Sequence, residues 1–353
     1  MFNPTLRKAI KICFEKRIPF AAFCKPMAGE VTFFSDPMYN NISNRLEGDK
    51  FVVNFYNSDD TVTINAVYDA AQTIEHCWNI HPLREPEISP WLISTEYLQY
   101  VSQVYQIVGE LKSRGGKVVL SKVVCGKDDT IDWVDVADNY FKMFPDTLRY
   151  LYYTPETGCW LGVSPEILLR HRAGENFFET MSLAGTRLRE DNATEWDAKN
   201  KEEHDYVTQY ICEVVNRQGF ETEVMPDENL PFGEVEHLCN RIKAIGKTTD
   251  NALPEVAAKL SPTPAFAGYP MGAALVGIMR YEVHSRYCYS GYVAVENKEG
   301  FDAYVNMRCV HFDERNYCMY AGGGLTSKSK AADEWAETEH KISPLKSLII
   351  HNL

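Results

Sequence analysis

Glu203 stands where its sequence neighbours call for an apolar side chain. In the stretch Glu195–Arg217, apolar residues recur at Val207, Tyr210, Ile211, Val214 and Val215, the spacing of one helical face. One turn before Val207 the same stripe carries Glu203. A buried ionised carboxylate is costly unless a cation compensates it, so a metal ion or a basic partner is expected beside it. Acidic residues also complement the dipole in the first turns of a helix, and spacing alone leaves the two readings about even. Near the C-terminus, Glu334, Glu337 and Lys341 fall at i, i+3 and i+7 on one helical face. Oxygen-only ligands of this kind select a hard cation, and few protein ligands with room for water suit magnesium better than calcium. In isolation the plainer reading of that segment is a solvated surface with a Glu337–Lys341 pair. Between these groups lies Gly322-Gly323-Gly324, followed by Thr326-Ser327-Lys328. A phosphate loop needs glycine where Ser327 stands, so nucleotide binding is not expected. Glycines directly after a strand still expose backbone N–H groups that can receive a carboxylate.

These groups need elements to hold them. Pro4–Lys16 reads as an amphipathic helix and Phe51–Tyr56 as an alternating strand. A proline-rich break, His81–Pro86, precedes a helix from about Ser94 to Arg114. Lys117–Cys125 is a strand by its β-branched content, covered on both faces. Further strands are expected at Tyr150–Tyr153, Cys159–Val163, Ile167–Arg170, Ser290–Val295, Ala303–Val310 and Tyr317–Ala321. Helices are expected at Glu195–Arg217, Glu255–Leu260 and Ala331–Lys341. This order is neither βαβ alternation nor all-β, which predicts an α+β layered domain. One large domain is expected, residues 1–90 packing onto a main portion 91–353. The 353 residues carry a formal charge of −13, which disfavours general nucleic-acid binding. With no run of 18 apolar residues and no signal peptide, a cytoplasmic protein without membrane association is expected. The ten cysteines are scattered with no Cys-x-x-Cys pair and read as reduced thiols.

Nine segments, in order, resemble the motifs of the chorismate-utilising enzymes. They are Lys117–Lys122, Val163–Arg170, Glu179–Arg187, Lys201–His204, Val235–Leu238, Tyr289–Gly291, Val305–Cys309, Tyr320–Gly324, and Glu334–Thr338 with Lys341, spanning about two thirds of the chain. The family comprises isochorismate synthases, salicylate synthases, and component I of anthranilate and aminodeoxychorismate synthases. The resemblance implies an α+β fold with a large antiparallel, sandwich-like core flanked by helices. It implies a magnesium ion, Mg2+, held by Glu203, Glu334 and Glu337 against the ring carboxylate of chorismate. Arg308 and Tyr289 match positions that grip the enolpyruvyl carboxylate, where a guanidinium offers a bidentate fork. The N–H groups of Gly185, Gly322 and Gly323, the Thr186 hydroxyl and Lys341 would complete the anion site.

Two positions distinguish the branches. Members that add water to C2 of the ring carry a lysine base where Lys117 stands, and ammonia-using anthranilate synthases lack it. Ala184 occupies the place of the nucleophilic lysine of aminodeoxychorismate synthases, which argues against covalent catalysis. The resemblance therefore implies an isochorismate synthase, an isomerase of menaquinone or siderophore biosynthesis, with Lys117 as base and Glu166 as acid. Salicylate synthase is the alternative, with anthranilate synthase component I and a non-catalytic chorismate-binding subunit behind it. A monomer or weak homodimer without a glutamine amidotransferase subunit is expected. The chemistry needs Lys117 neutral and Glu166 protonated, and burial favours both. One departure is Ser261, where the family commonly has histidine; His237 and His204 are the candidate substitutes.

Overall fold

A computed structural model describes residues 1–39, 48–83, 86–90, 92–189, 195–246 and 252–350. Arg84 and Glu85 of the proline-rich break, and the last residues of the 91–353 portion, lie outside them. Two antiparallel sheets form the core. The first places strand Lys117–Lys127 beside Asn316–Leu325, then continues through Cys309–Phe312, Gly158–Ser164, Leu148–Thr154 and Phe20–Cys24. The second runs through Val235–Ile245, Phe177–Leu188, Ile167–Arg172, Gly300–Val305, Tyr292–Asn297 and Lys50–Asn54. Alternate residues of both sheets meet in one apolar layer: Phe51 of the second sheet lies 5.5 Å from both Phe23 and Tyr152 of the first, between ring centroids. Helices Pro4–Lys16, Trp133–Met143, Ala198–Arg217 and Leu253–Leu260 cover a second apolar layer. This is the expected α+β architecture, with strands from the first 65 residues integrated into both sheets.

Local chemistry sets the elements around the site. Helix Ala198–Arg217 starts at Asp197, whose side chain accepts from the Asn200 N–H as an N-cap, three residues later than the spacing suggests. The C-terminal helix, expected to stop at Lys341, runs from Ala331 to Ile350 with Pro344 inside it. Proline has no N–H for the His340 carbonyl one turn earlier, and the Ser343 hydroxyl donates to that oxygen at 3.0 Å instead. Gly115 and Gly116, at φ 71° and 86°, turn the chain from helix Tyr97–Arg114 into the strand that opens on Lys117. A Cβ on Gly116 would lie 2.2 Å from the Tyr269 carbonyl oxygen.

Two expected features change at crossings between sheets and across one ladder. The single strand expected over Ala303–Val310 is two, because the chain leaves the second sheet after Val305 and enters the first at Cys309. Arg308 sits in that crossing at φ 45°. Ser164-Pro165-Glu166 makes the reverse crossing from Gly158–Ser164 to Ile167–Arg172. The uniformly reduced thiol set is also corrected: Cys125 and Cys318, directly opposite on neighbouring strands, form a disulfide, and the other eight cysteines are free. Spacing along the chain cannot show that pair, because the cysteines are 193 residues apart. Protein unfolded without reductant should therefore titrate eight thiols with a colorimetric disulfide reagent, and ten after reduction.

Candidate functional site

A cleft of about 580 Å³ opens where the two crossings meet the glycine-rich strand Asn316–Leu325. Its lining includes Glu166, Gly185, Thr186, Glu203, Tyr289, Arg308, Gly322 and Lys341, eight of the twelve candidate residues. In and around this lining, three glutamates each face a lysine. Glu203 Oε1 lies 2.9 Å from Lys117 Nζ, Glu334 Oε1 2.9 Å from Lys199 Nζ, and Glu337 Oε1 2.6 Å from Lys341 Nζ. Lys117 is fully buried and Glu334 nearly so. Lys341 thus lines the cleft and Glu334 is buried, so the solvated-surface reading of the C-terminal helix keeps only its Glu337–Lys341 pair.

Glycine at 324 makes this arrangement possible. A Cβ there would stand 2.1 Å from Glu203 Oε1 and 2.7 Å from Lys117 Cε, so any side chain would separate the pair. Lys341 donates to the Gly322 carbonyl at 2.8 Å, on the side of the strand away from Lys117–Lys127. In an antiparallel ladder both backbone groups of a residue point the same way and the next residue's point oppositely. Gly322 and Gly324 therefore present their N–H groups toward the cleft, whereas that of Gly323 faces Leu120 across the ladder. The expected Gly322–Gly323 cradle is corrected to Gly322 and Gly324. Gly185, at φ 74°, is the bulged residue between the pairs Thr186–His237 and Ala184–Leu238, so it has no partner across the ladder.

The charged groups differ in state. Burial pushes the Glu166 carboxyl up to about 8 against the opposing charge of Lys117, so it is mostly protonated at neutral pH. Its Oε1 is buried without a hydrogen-bond partner. Burial lowers Arg308 to about 10, which leaves it charged, packed 4.5 Å over the Phe232 ring with Nε and Nη2 buried and unpartnered. Those two donors form a ready fork for a carboxylate. Lys117 is buried as expected, with Glu203 beside it, although its Nζ makes no aligned hydrogen bond there. Burial raises Glu334, while Lys341 holds Glu337 low despite its own burial.

Of the two histidines, only His237 lines the cleft. Its Nδ1 lies 3.0 Å from the Gly185 carbonyl, which can only accept, so the proton is assigned to Nδ1 and Nε2 keeps a lone pair. Burial, then Lys341 and Arg308, lower this histidine to about 3, so it is neutral. Nε2 is buried without a partner and offers an acceptor to the cleft. His204 is bonded to Asn240 away from the lining, and Ser261 is not among the lining residues; Ala265 and Phe266 are. Lys199 escaped the sequence reading. It lies one turn before Glu203 on the stripe that continues through Val207, so stepping back one turn more would have found it.

Among the described residues no three of His, Cys, Asp and Glu already converge as metal ligands. The residues nevertheless fit a hard cation in two respects. The donors are carboxylate oxygens only, and Glu334 Oε2 is buried with no partner, 3.1 Å from where a Gly323 Cβ would be.

A family model described as chorismate binding enzyme matches residues 43–350. Isochorismate synthase EntC of Escherichia coli (strain K12) is 31% identical over 241 residues, 65% of this chain and 61% of EntC, so the match spans less than two thirds of that relative. Isochorismate synthase DhbC of Bacillus subtilis (strain 168) is 32% identical over 291 residues, 77% of this chain and 70% of DhbC. Among solved structures, MenF, the menaquinone-specific isochorismate synthase of Escherichia coli, superposes with a TM-score of 0.77 at 18% identity, covering 99% of this chain and 91% of that one.

Two glycine substitutions should separate site packing from propensity. Gly324→Ala should lower stability in urea unfolding by about 1–3 kcal/mol, the usual cost of overpacking. Gly277→Ala, in a helix with only 3.6 Å contacts, should instead leave stability unchanged or raise it by about 0.5–1 kcal/mol.

Proposed function

The chain belongs to the chorismate binding enzyme family, and from that membership we propose that it is an isochorismate synthase, adding water at C2 of chorismate as the C4 hydroxyl leaves. One observation carries the choice of chemistry. A carboxyl held protonated by burial, Glu166, shares the cleft region with a fully buried lysine, Lys117. General acid–base addition needs that pair: one group to take a proton from the attacking water, one to give a proton to the departing hydroxyl. In the reading proposed here Lys117 is the base and Glu166 the acid. The ring double bonds shift as the C2–O bond forms and the C4–O bond breaks. One water enters and one leaves, so substrate and product are isomers.

The remaining groups bind and orient. Arg308, through its unpartnered Nε and Nη2, takes the enolpyruvyl carboxylate, with Tyr289 beside it. Gly185, Gly322, Gly324, Thr186 and Lys341 receive the other anionic end, and His237 Nε2 accepts from a hydroxyl or from the water. Glu203, Glu334 and Glu337 are the residues that would hold magnesium. Bound there, the ion would supply positive charge for the ring carboxylate and engage the carboxylate that otherwise pairs with Lys117. An acidic protein can thus receive a dianion through local charge alone. Similarity to EntC and DhbC, both named isochorismate synthases, supports the water-adding branch.

Purified protein incubated with chorismate and magnesium should give isochorismate by chromatography. Salicylate with pyruvate, or anthranilate when ammonium is supplied, would replace this assignment. Glu166→Gln and Lys117→Ala should retain chorismate binding by calorimetry yet lose turnover by about 10²–10⁴-fold. Because the acid must be protonated and its fraction declines as pH rises through about 8, kcat/KM of the wild type should fall above that pH.

A further inference from the structure

Lys199 is the lysine of the cluster paired with Glu334. Its ammonium donates to Glu334 Oε1 at 2.9 Å, and the charges of Glu203 and Glu337 add to that attraction. Its neighbours in the cluster are fixed differently. Lys117 opens a strand and is fully buried. Lys341 is held by both Glu337, one turn earlier on its own helix, and the Gly322 carbonyl. Lys199 lies in the first turn of helix Ala198–Arg217, with its side chain 20% exposed. A four-carbon stem at the edge of the site can carry its ammonium into solvent without moving the backbone.

We propose that Lys199 is an internal, displaceable cation that holds Glu334 until a divalent ion takes the three glutamates, leaving that carboxylate as the ion binds. This rests on the proposed metal role of Glu203, Glu334 and Glu337. Two features argue for displacement over coexistence. Each glutamate already faces a lysine, so a bare dication meets no unopposed negative charge, and among the described residues no three ligands converge while these pairs stand. Glu334, in addition, has one oxygen on Lys199 and the other without a partner, so the ammonium competes with an ion for the charge of one carboxylate. Lys199 thereby sets how tightly the site takes a metal when no anionic substrate is present, since a competing internal cation weakens binding by its own interaction with the site.

The test is Mn2+ binding to the full chain without substrate, read by electron paramagnetic resonance of the free ion. Lys199→Met should bind Mn2+ tighter than wild type by on the order of 10–100-fold, the scale of a partly screened ion pair. Lys199→Arg, which keeps the charge, should bind no tighter than wild type, and Lys201→Met, on the exposed face of the same turn, should match it. Equal or weaker binding by a folded Lys199→Met protein overturns the displacement, and so does equally tightened binding by Lys199→Arg. Should Lys199→Met not fold, Lys199→Gln is read by the same criterion. If the ion binds wild type and isochorismate forms while the Lys199 variants bind no tighter, only this inference fails. Absence of Mn2+ binding in every protein overturns it together with the magnesium role.

Discussion

Three carboxylates beside the cleft, Glu203 and Glu334 buried and Glu337 half-buried, are each brought against a lysine. The pairs tie different parts of the fold: Lys117–Glu203 joins a strand of the first sheet to helix Ala198–Arg217, and Lys199–Glu334 joins that helix to the C-terminal one. Lys341 pairs with Glu337 and anchors the C-terminal helix to the glycine-rich strand through the Gly322 carbonyl. Buried ion pairs are poor sources of net stability, but removing one partner strands a charge, so they specify one arrangement of these elements over others. The glycines of the strand belong to the same constraint. At position 324 a side chain would occupy the space of the Lys117–Glu203 contact itself.

The cleft forms beside this cluster because the chain changes sheets there. A continuous sheet would direct its residues alternately to the core and to the helices. A crossing frees a residue from both. Glu166 and Arg308 occupy the two crossings, one a carboxyl made neutral by burial and the other a cation that burial weakens without discharging. They meet in one cavity although 142 positions separate them, counting from residue 166 to residue 308. The protein's overall charge of −13 is thus a poor guide to the field a ligand meets in the cleft, where Arg308 and Lys341 line the wall.

Much of the site was legible one residue at a time. Glu203 announced itself by breaking an apolar stripe, and the ordered motifs marked Lys117, Glu166, Arg308 and Lys341 before any contact was known. Lys199 was legible by the same helical step and was missed because a lysine near a helix start gives no reason for suspicion. The Cys125–Cys318 pair and the break at Arg308 were not legible, since both depend on which strands become neighbours. The extension of the last helix past Pro344 was hidden because its remedy, the Ser343 hydroxyl on the His340 carbonyl, is a side-chain contact that propensity does not count.

The sequence by itself determined which residues were chemically out of place and which element carried each, because periodicity is local: 3.6 residues for a helix, two for a strand. Tertiary structure alone decided how those residues are partnered. Whether Gly322, Gly323 or Gly324 turns its N–H toward the cleft depends on strand register, and a shift of one residue exchanges them. Whether a glutamate faces water, a lysine or a metal depends on elements that lie far apart in the chain, and so does the protonation state of Glu166, which burial by distant strands imposes.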